Sequence, residues 1–416
     1  MARDDIITGL DIGSTTIRVV SGQVKANRDW DDTVHIIGAA EAPAEGISKG
    51  AITSIEDAVS SISSALEKCE RMTGVPIEHA LVSVNGAHVV AQESQGIVAA
   101  SKPSGEIGED DVERVIETAQ SVGVPPNFEI LHMIPRSFSV DNQRGIKDPV
   151  GMTGIKLEVD SQIILGMTSQ IKNITKSVYR TGVDIDDLVV EVLAASEAVL
   201  SKREKEIGVA VLNLGGATTS LLVMEEGEVI HTKILPVGAG HITNDIAIGL
   251  RTSVDVAEQI KIDHGTALPE EVGKREEIDL AKIDSKENVL VSRKEVAEII
   301  SARLEEIFDM VQQELRSIDR AGKLPAGIVL TGGGAKLHGI TEYAKQQFHT
   351  AASIGMPRHI STPIDKIMDP VFATAIGLVL WGQGVHEGTN RPSLTNFSSV
   401  TDVTNKMGKW FKSLMP

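Results

Sequence analysis

Apolar residues recur with two different periods along this 416-residue chain, and the places where one period gives way to the other outline an alternating α/β protein. Ile17 to Val24 and Val34 to Ala40 read as strands joined by a polar tip over Asn27 to Thr33. Ile55, Val59, Ile62 and Leu66 then fall at helical spacing, which predicts a helix from Ile55 to Met72. Residues 80–101 return to a strand pattern, Asp110 to Ala119 opens on acids as helices do, and Leu131 to Val159 is extended and rich in turn residues. A helix over Asn173 to Arg180, a strand over Leu188 to Glu191 and a helix over Ser196 to Lys205 follow. Ser220 to Met224 and Val229 to Leu235 then make a second hairpin that turns at Glu226-Gly227. A meander followed by a helix thus starts near residue 6 and again near residue 207, which predicts a duplicated α/β fold with a ligand between the halves. Residues 265–291 are charged and irregular, and read as a surface excursion. Val296, Ile299, Ile300, Leu304, Ile307, Phe308, Val311 and Leu315 line one side of a long helix over 292–317. Val371 to Leu380 is the last regular core element, and Gly382 to Val400, rich in Gly, Ser, Thr, Asn and Pro, has the composition of a flexible linker.

Three of the strands end alike. Gly9 to Thr16, Val211 to Thr219 and Ile328 to Ala335 are apolar, β-branched runs that close on glycines and hydroxyl residues. Such a turn is tight enough for backbone N–H groups to approach an anion. The first loop, with Asp11, Gly13, Ser14, Thr15 and Thr16, and the second, with Asn213, Gly215, Gly216, Ala217, Thr218 and Thr219, suit phosphate and a hydrated metal. The third, with Gly332, Gly333, Gly334 and Ala335, is bare enough for a flat base and ribose. One glycine turn is weak evidence, since most merely connect two elements. Three in one chain point to a nucleotide, with Asp11 as the candidate metal ligand.

The length calls for two or more domains. A net charge of −18 and 3 % aromatic residues argue against a nucleic-acid surface, which needs clustered cations and stacking platforms. Cys69 is the single cysteine, excludes an intramolecular disulfide and sits in a helical pattern as a packing residue. The eleven histidines show no ligand spacing, and His132 and His349 read as packed or surface groups. No stretch nears the ~20 apolar residues of a membrane span, and Met1 to Asp5 lacks an export signal's apolar core, so a cytoplasmic protein is expected. The end of the chain changes that picture. At helical spacing Val403, Met407, Trp410, Phe411 and Leu414 fall within an arc of about 100°, while Lys406, Lys409 and Lys412 lie opposite. A short cationic helix bearing a Trp, on a tether, suits the plane of an anionic membrane surface.

The three loops together make the chain similar to the actin-like ATPase superfamily. Within it, Ile130 to Pro135, Gly145 to Gly154 and Phe348-His349-Thr350 resemble signatures of the FtsA family of bacterial cell-division proteins. The resemblance covers nearly the whole chain. It implies ATP and Mg²⁺ in the cleft, with Leu193 to Leu200 and Asp369 to Leu380 as connecting helices, and Glu258 and Lys261 at the ribose and adenine edge. It implies lobes over residues 1–83 and 167–205, an inserted interaction lobe over 84–166 that meets later division proteins, a second half over 206–239, 240–325 and 326–382, a linker over 383–400 and a membrane helix over 401–416. It further implies filaments that attach FtsZ polymers to the cytoplasmic face of the membrane at the septum, with Arg293, Glu298 and Arg303, expected to be exposed on the long helix, as the dock for the FtsZ C-terminal tail. The chain departs from the pattern at Asn213, where an Asp usually holds metal-bound water, at Ser220, another usual acid, and at Thr16, where relatives often place a Lys; Arg18 is the nearby cation that could replace it. Binding without rapid hydrolysis is therefore expected. The same fold also carries small-molecule kinases, for which Asp11 would be the catalytic acid and a tail would have no use, and a pilus-assembly adaptor, which a missing tail would have favoured.

Overall fold

The computed structural model describes residues 6–24, 34–121 and 123–387. The predicted linker over Gly382 to Val400 begins in helix, because the last helix runs to Glu387; its remainder, the predicted membrane-helix residues Val403 to Leu414 and the hairpin tip at 27–33 lie outside the described residues. Down the chain, the first half opens with strands β1 (Ile6–Ile12), β2 (Thr16–Val24) and β3 (Val34–Pro43), a two-residue pair β4 (Ile47–Ser48) and β5 (Ala51–Ile52), helix α1 (Ile55–Thr73) and strand β6 (His79–Val84). An inserted lobe follows: β7 (Val89–Ala99), α2 (Glu109–Ser121), β8 (Phe128–Val140), β9 (Gln143–Ile146) and β10 (Lys156–Met167). The first half resumes with α3 (Thr168–Tyr179), β11 (Asp184–Val190), α4 (Glu191–Val199) and α5 (Lys202–Ile207). The second half comprises β12 (Val209–Leu214), β13 (Thr219–Glu225), β14 (Glu228–Leu235), α6 (Ala239–Leu250), α7 (Val254–His264), β15 (Glu277–Asp279), β16 (Leu290–Ser292), α8 (Arg293–Ser317), β17 (Ile328–Thr331), α9 (Ile340–Phe348) and β18 (Ala352–Ile354). The chain then returns to the first half through β19 (Ile360–Ser361) and α10 (Ala373–Glu387).

The duplication is real in three dimensions. One sheet runs β11-β6-β1-β2-β3-β19 and the other β14-β13-β12-β17-β18, and in each a central strand followed by an antiparallel hairpin pairs in parallel with a later strand. Alternate residues of β12 serve two cores: Val209 and Val211 face that of the first half, Ala210 and Leu212 that of the second. Helices α4 and α10 fill the space between the sheets, and they cross very closely. A Cβ at Gly377 would lie 1.8 Å from the Ala194 carbonyl oxygen, and Ala194, Ala195, Ala198 and Ala375 are all buried at this joint. The inserted lobe has its own sheet, β7-β10-β8-β9, and its own core, in which Val115 and Ile116 of α2 pack with Leu157 and Ile163. It also reaches the second half, where the Lys147 ammonium donates to the Glu226 carbonyl at 3.0 Å.

Local chemistry explains where the elements begin and end. Ser54 caps α1 by accepting from the Asp57 N–H, and Gly74 closes it in the left-handed region at φ 70°. The single helix predicted over 196–205 is two. The chain breaks after Val199 because the Ser201 hydroxyl and the Glu204 carboxylate cap each other's backbone N–H groups and start α5 afresh. Glu191, predicted as the end of a strand, is instead the first residue of α4, and α3 begins five residues before the predicted Asn173. The charged excursion over 265–291 contains β15, which pairs with β16.

Candidate functional site

The three loops converge at the ends of β1, β12 and β17. Asp11 is buried on β1, where it accepts from the Ser83 hydroxyl at 2.8 Å, and the same hydroxyl accepts from the Ile12 N–H at 2.9 Å. The first loop is braced from outside: Thr15 O takes the Ala44 N–H at 3.0 Å, and the Ser14 hydroxyl accepts from the Gly50 N–H at 2.9 Å. The second loop folds on itself, Gly215 N–H to Thr218 O at 2.9 Å, and launches α6, since Gly215 O and Gly216 O accept from the Ala239 and Gly240 N–H groups at 2.8 and 2.7 Å. The positive end of that helix therefore sits against the second loop. The two loops nearly touch, because a Cβ on Gly216 would lie 2.2 Å from the Thr15 hydroxyl. The third loop turns at Gly332, φ +81°, whose missing Cβ makes room for the Asn213 side-chain oxygen at 2.3 Å. Gly333 faces open space, and a Cβ on Gly334 would meet Ala239 at 3.2 Å.

Lys261 on α7 stands behind this corner. It donates to the Thr243 hydroxyl at 2.8 Å and to Ala239 O at 3.4 Å, and pairs with Glu258 at 2.6 Å. Of the hydroxyl pair predicted for phosphate, Thr219 is fully buried and donates to Val237 O at 2.8 Å, so it holds the loop rather than facing a ligand. Ala217 and Thr218 lie in the same turn, with Thr218 buried, and Thr16 is the first residue of β2. Arg18, the replacement cation, is held by Glu41 at 3.6 Å with its guanidinium 5.7 Å from the Phe372 ring centroid; it acts on the loops through its charge, which stabilises ionised Asp11.

Two buried carboxyls dominate the electrostatics. Burial raises Asp11 above its usual range, against the pull of Arg18 and the Ser83 hydrogen bond. Glu191 is pushed up to about 7, first by burial and further by the charge of Asp11, while hydrogen bonds from Ser220 and Asn85 pull the other way. Ser220, at a position where an acid was expected, thus serves another acid: its hydroxyl donates to the Glu191 carboxylate. Asn213 is buried, and its amide donates to Thr374 on α10 at 3.5 Å. Sequence reasoning missed Glu191. Its signal was a lone acid inside Leu188 to Leu193, an otherwise apolar run. Asp11 and Glu191 form a pair rather than a full ligand set, as no three His, Cys, Asp or Glu side chains gather for a metal among the described residues.

The residues predicted to dock a partner are less free than expected. Only Glu298 is fully exposed. Arg293 is half-buried, its Nε donating to His264 O at 3.0 Å and its Nη1 to Glu276 at 2.6 Å, and Arg303 grips Asp245 of α6 through Nε and Nη2, at 2.5 and 3.0 Å. Carboxylates on neighbouring elements claim these guanidiniums because a bidentate pair at a half-buried site is among the stronger surface contacts. No helix among the described residues is long and apolar enough to cross a membrane.

Comparison with known proteins agrees with this architecture. Residues 210–377 match the family model for the cell division protein FtsA, and residues 86–165 match that for the SHS2 domain inserted in FtsA. The chain is 34 % identical over 410 residues to the cell division protein FtsA of Pseudomonas aeruginosa, covering 97 % of each, and 38 % identical over 379 residues to that of Bacillus subtilis, covering 91 % of this chain and 84 % of the relative. Among solved structures it shares its fold with a PilM–PilN type IV pilus biogenesis complex (TM-score 0.66, 16 % identity, 90 % of this chain and 98 % of the other). It likewise matches MreB5 of Spiroplasma citri bound to AMPPNP (0.55, 13 %, 92 % and 98 %) and a MamK double helical filament (0.51, 12 %, 91 % and 98 %). The fold is the actin-like one with an inserted lobe.

Proposed function

This chain belongs to the FtsA family of cell-division proteins, and on that premise we propose that it is an ATP-binding, self-assembling adaptor that holds FtsZ polymers at the membrane. The observation that carries the reading is the convergence of three glycine turns and the α6 N-terminus on one buried pair of carboxyls. Loop N–H groups and the helix end would take the phosphate oxygens, Gly332 to Ala335 would pass under the base, and Glu258 and Lys261 would border the ribose. Bound with the nucleotide, Mg²⁺ would supply the positive charge that the carboxyl pair lacks. Asp11 and Glu191 are the residues that would hold it, and a nearby cation favours the charged forms that burial resists. Glu191 would also accept a hydrogen bond from a water at the terminal phosphate, a role the neutral amide of Asn213 would fill poorly. Turnover is slow on this reading.

Self-assembly rests on the family reading, since the MreB5 and MamK likenesses, at 13 % and 12 % identity, show the fold alone. The cationic, amphipathic C-terminal sequence around Trp410 and Phe411 supplies membrane affinity, each copy weakly and an assembled row strongly. The FtsZ tail docks along α8 beside Glu298, and the inserted lobe recruits later division proteins. The small-molecule kinase and pilus-adaptor readings gain nothing further, since likeness to the pilus complex at 16 % identity shows the fold alone.

Replacing Gly216 by Val tests the cleft. Its Cβ would lie 2.2 Å from the Thr15 hydroxyl and must push the two loops apart, so MgATP affinity should fall at least about a hundredfold, well beyond what any accompanying drop in the urea-unfolding midpoint explains. Unchanged affinity would contradict the site.

A further inference from the structure

His132 joins the inserted lobe to the strand that leads into Glu191. His132, on β8 of the lobe, is almost wholly buried and accepts the Val190 N–H at 3.1 Å through Nε2. Val190 ends β11, an edge strand of the first sheet, and its N–H points away from the ladder to this imidazole. It is also the N-cap residue of α4, whose side chain offers no capping bond, and the next residue is Glu191. The imidazole is fixed in turn: Trp381 of α10 meets it edge-on, ring centroids 5.6 Å apart at 66°, and the Trp381 indole N–H reaches Asp187 of β11 at 3.3 Å. Lobe strand, edge strand and α10 are thus joined at the peptide that aims Glu191 into the cleft.

We propose that His132 is a positioning residue for Glu191, so that the lobe and the nucleotide cleft are coupled through the Val190 peptide. Losing the acceptor leaves a buried N–H without its bond, and the cheapest relief is rotation of that peptide, which swings the first turn of α4 and with it the Glu191 carboxylate. The inference rests on reading the cleft as a nucleotide site. A ligand that shifts β8 would by the same route alter what Glu191 faces.

The test is a double-mutant cycle on the full chain, with H132L, H132Q, E191Q and the H132L/E191Q pair, read by urea unfolding without nucleotide and by MgATP affinity. Gln can present an acceptor where His does, and Leu cannot. At pH 8 the effect of His132→Leu on the folded-to-unfolded ratio should differ at least about fivefold between the wild-type and E191Q backgrounds, and MgATP binding should weaken by about tenfold, with H132Q restoring most of both. Additive effects of H132L and E191Q, or an H132Q variant as impaired as H132L, would overturn the proposal. Should the wild-type chain bind no MgATP, the nucleotide reading fails alone, because the unfolding cycle still decides whether His132 acts through Glu191.

Discussion

Glu191 is charged only at the expense of the fold. Its pKa is raised from an ordinary 4.5 to about 7 in the folded chain, so the fold favours the neutral acid. The associated stability is present in full below about pH 4.5, is lost as pH rises towards 7, and stays lost above. Glu191→Gln removes the titration, so it should stabilise the nucleotide-free protein by up to about 3 kcal/mol at pH 8 and by nothing near pH 4.5. Urea unfolding at both pH values checks this, and a difference independent of pH would refute it. Asn213→Asp makes the complementary change, adding a third carboxyl beside Asp11 and Glu191 and restoring the charge the second loop lacks. It should destabilise the apo protein at pH 8 yet raise phosphate release from MgATP several-fold, measured in single turnovers. The loop glycines were legible in the sequence because a turn is local. Glu191 was not, because what makes it a site residue, Asp11 and Ser220, lies on other strands, and it hid in an apolar run.

Helix pairs show a different limit. The periodicity of α8 was visible because one face of it is apolar, and Val296, Ile300, Leu304, Phe308 and Val311 are buried as the spacing predicts. Its polar face was misjudged, since the carboxylates that hold Arg293 and Arg303 come from other elements. Helix α10, apolar all round, carries no direction in its pattern, and only the structure shows that Gly377 is the crossing point on α4. Gly to Ala inside a helix ordinarily stabilises by about 1 kcal/mol. At Gly377 the sign should reverse, with a loss of about 2–3 kcal/mol, because the new methyl lies 1.8 Å from the Ala194 carbonyl oxygen. The same change at Gly333, which meets nothing within 4 Å, should leave the urea midpoint unmoved. Equal effects at the two positions would show that the helices do not cross as described.

At the scale of the molecule the duplication was readable from two meanders about 200 residues apart, whereas the stance of the inserted lobe was not. Its joints, Lys147 to Glu226 and His132 to Val190, pair residues 79 and 58 positions apart with no shared motif. A cleft that closes on nucleotide is thus joined to a tail that meets lipid, and the direct test is sedimentation of the purified full chain with phosphatidylglycerol-containing vesicles, with and without MgATP, beside a variant that ends at Asn390, beyond α10. Pelleting that needs the tail and strengthens with MgATP is the predicted result; pelleting that survives the truncation, or that ignores the nucleotide, would contradict it.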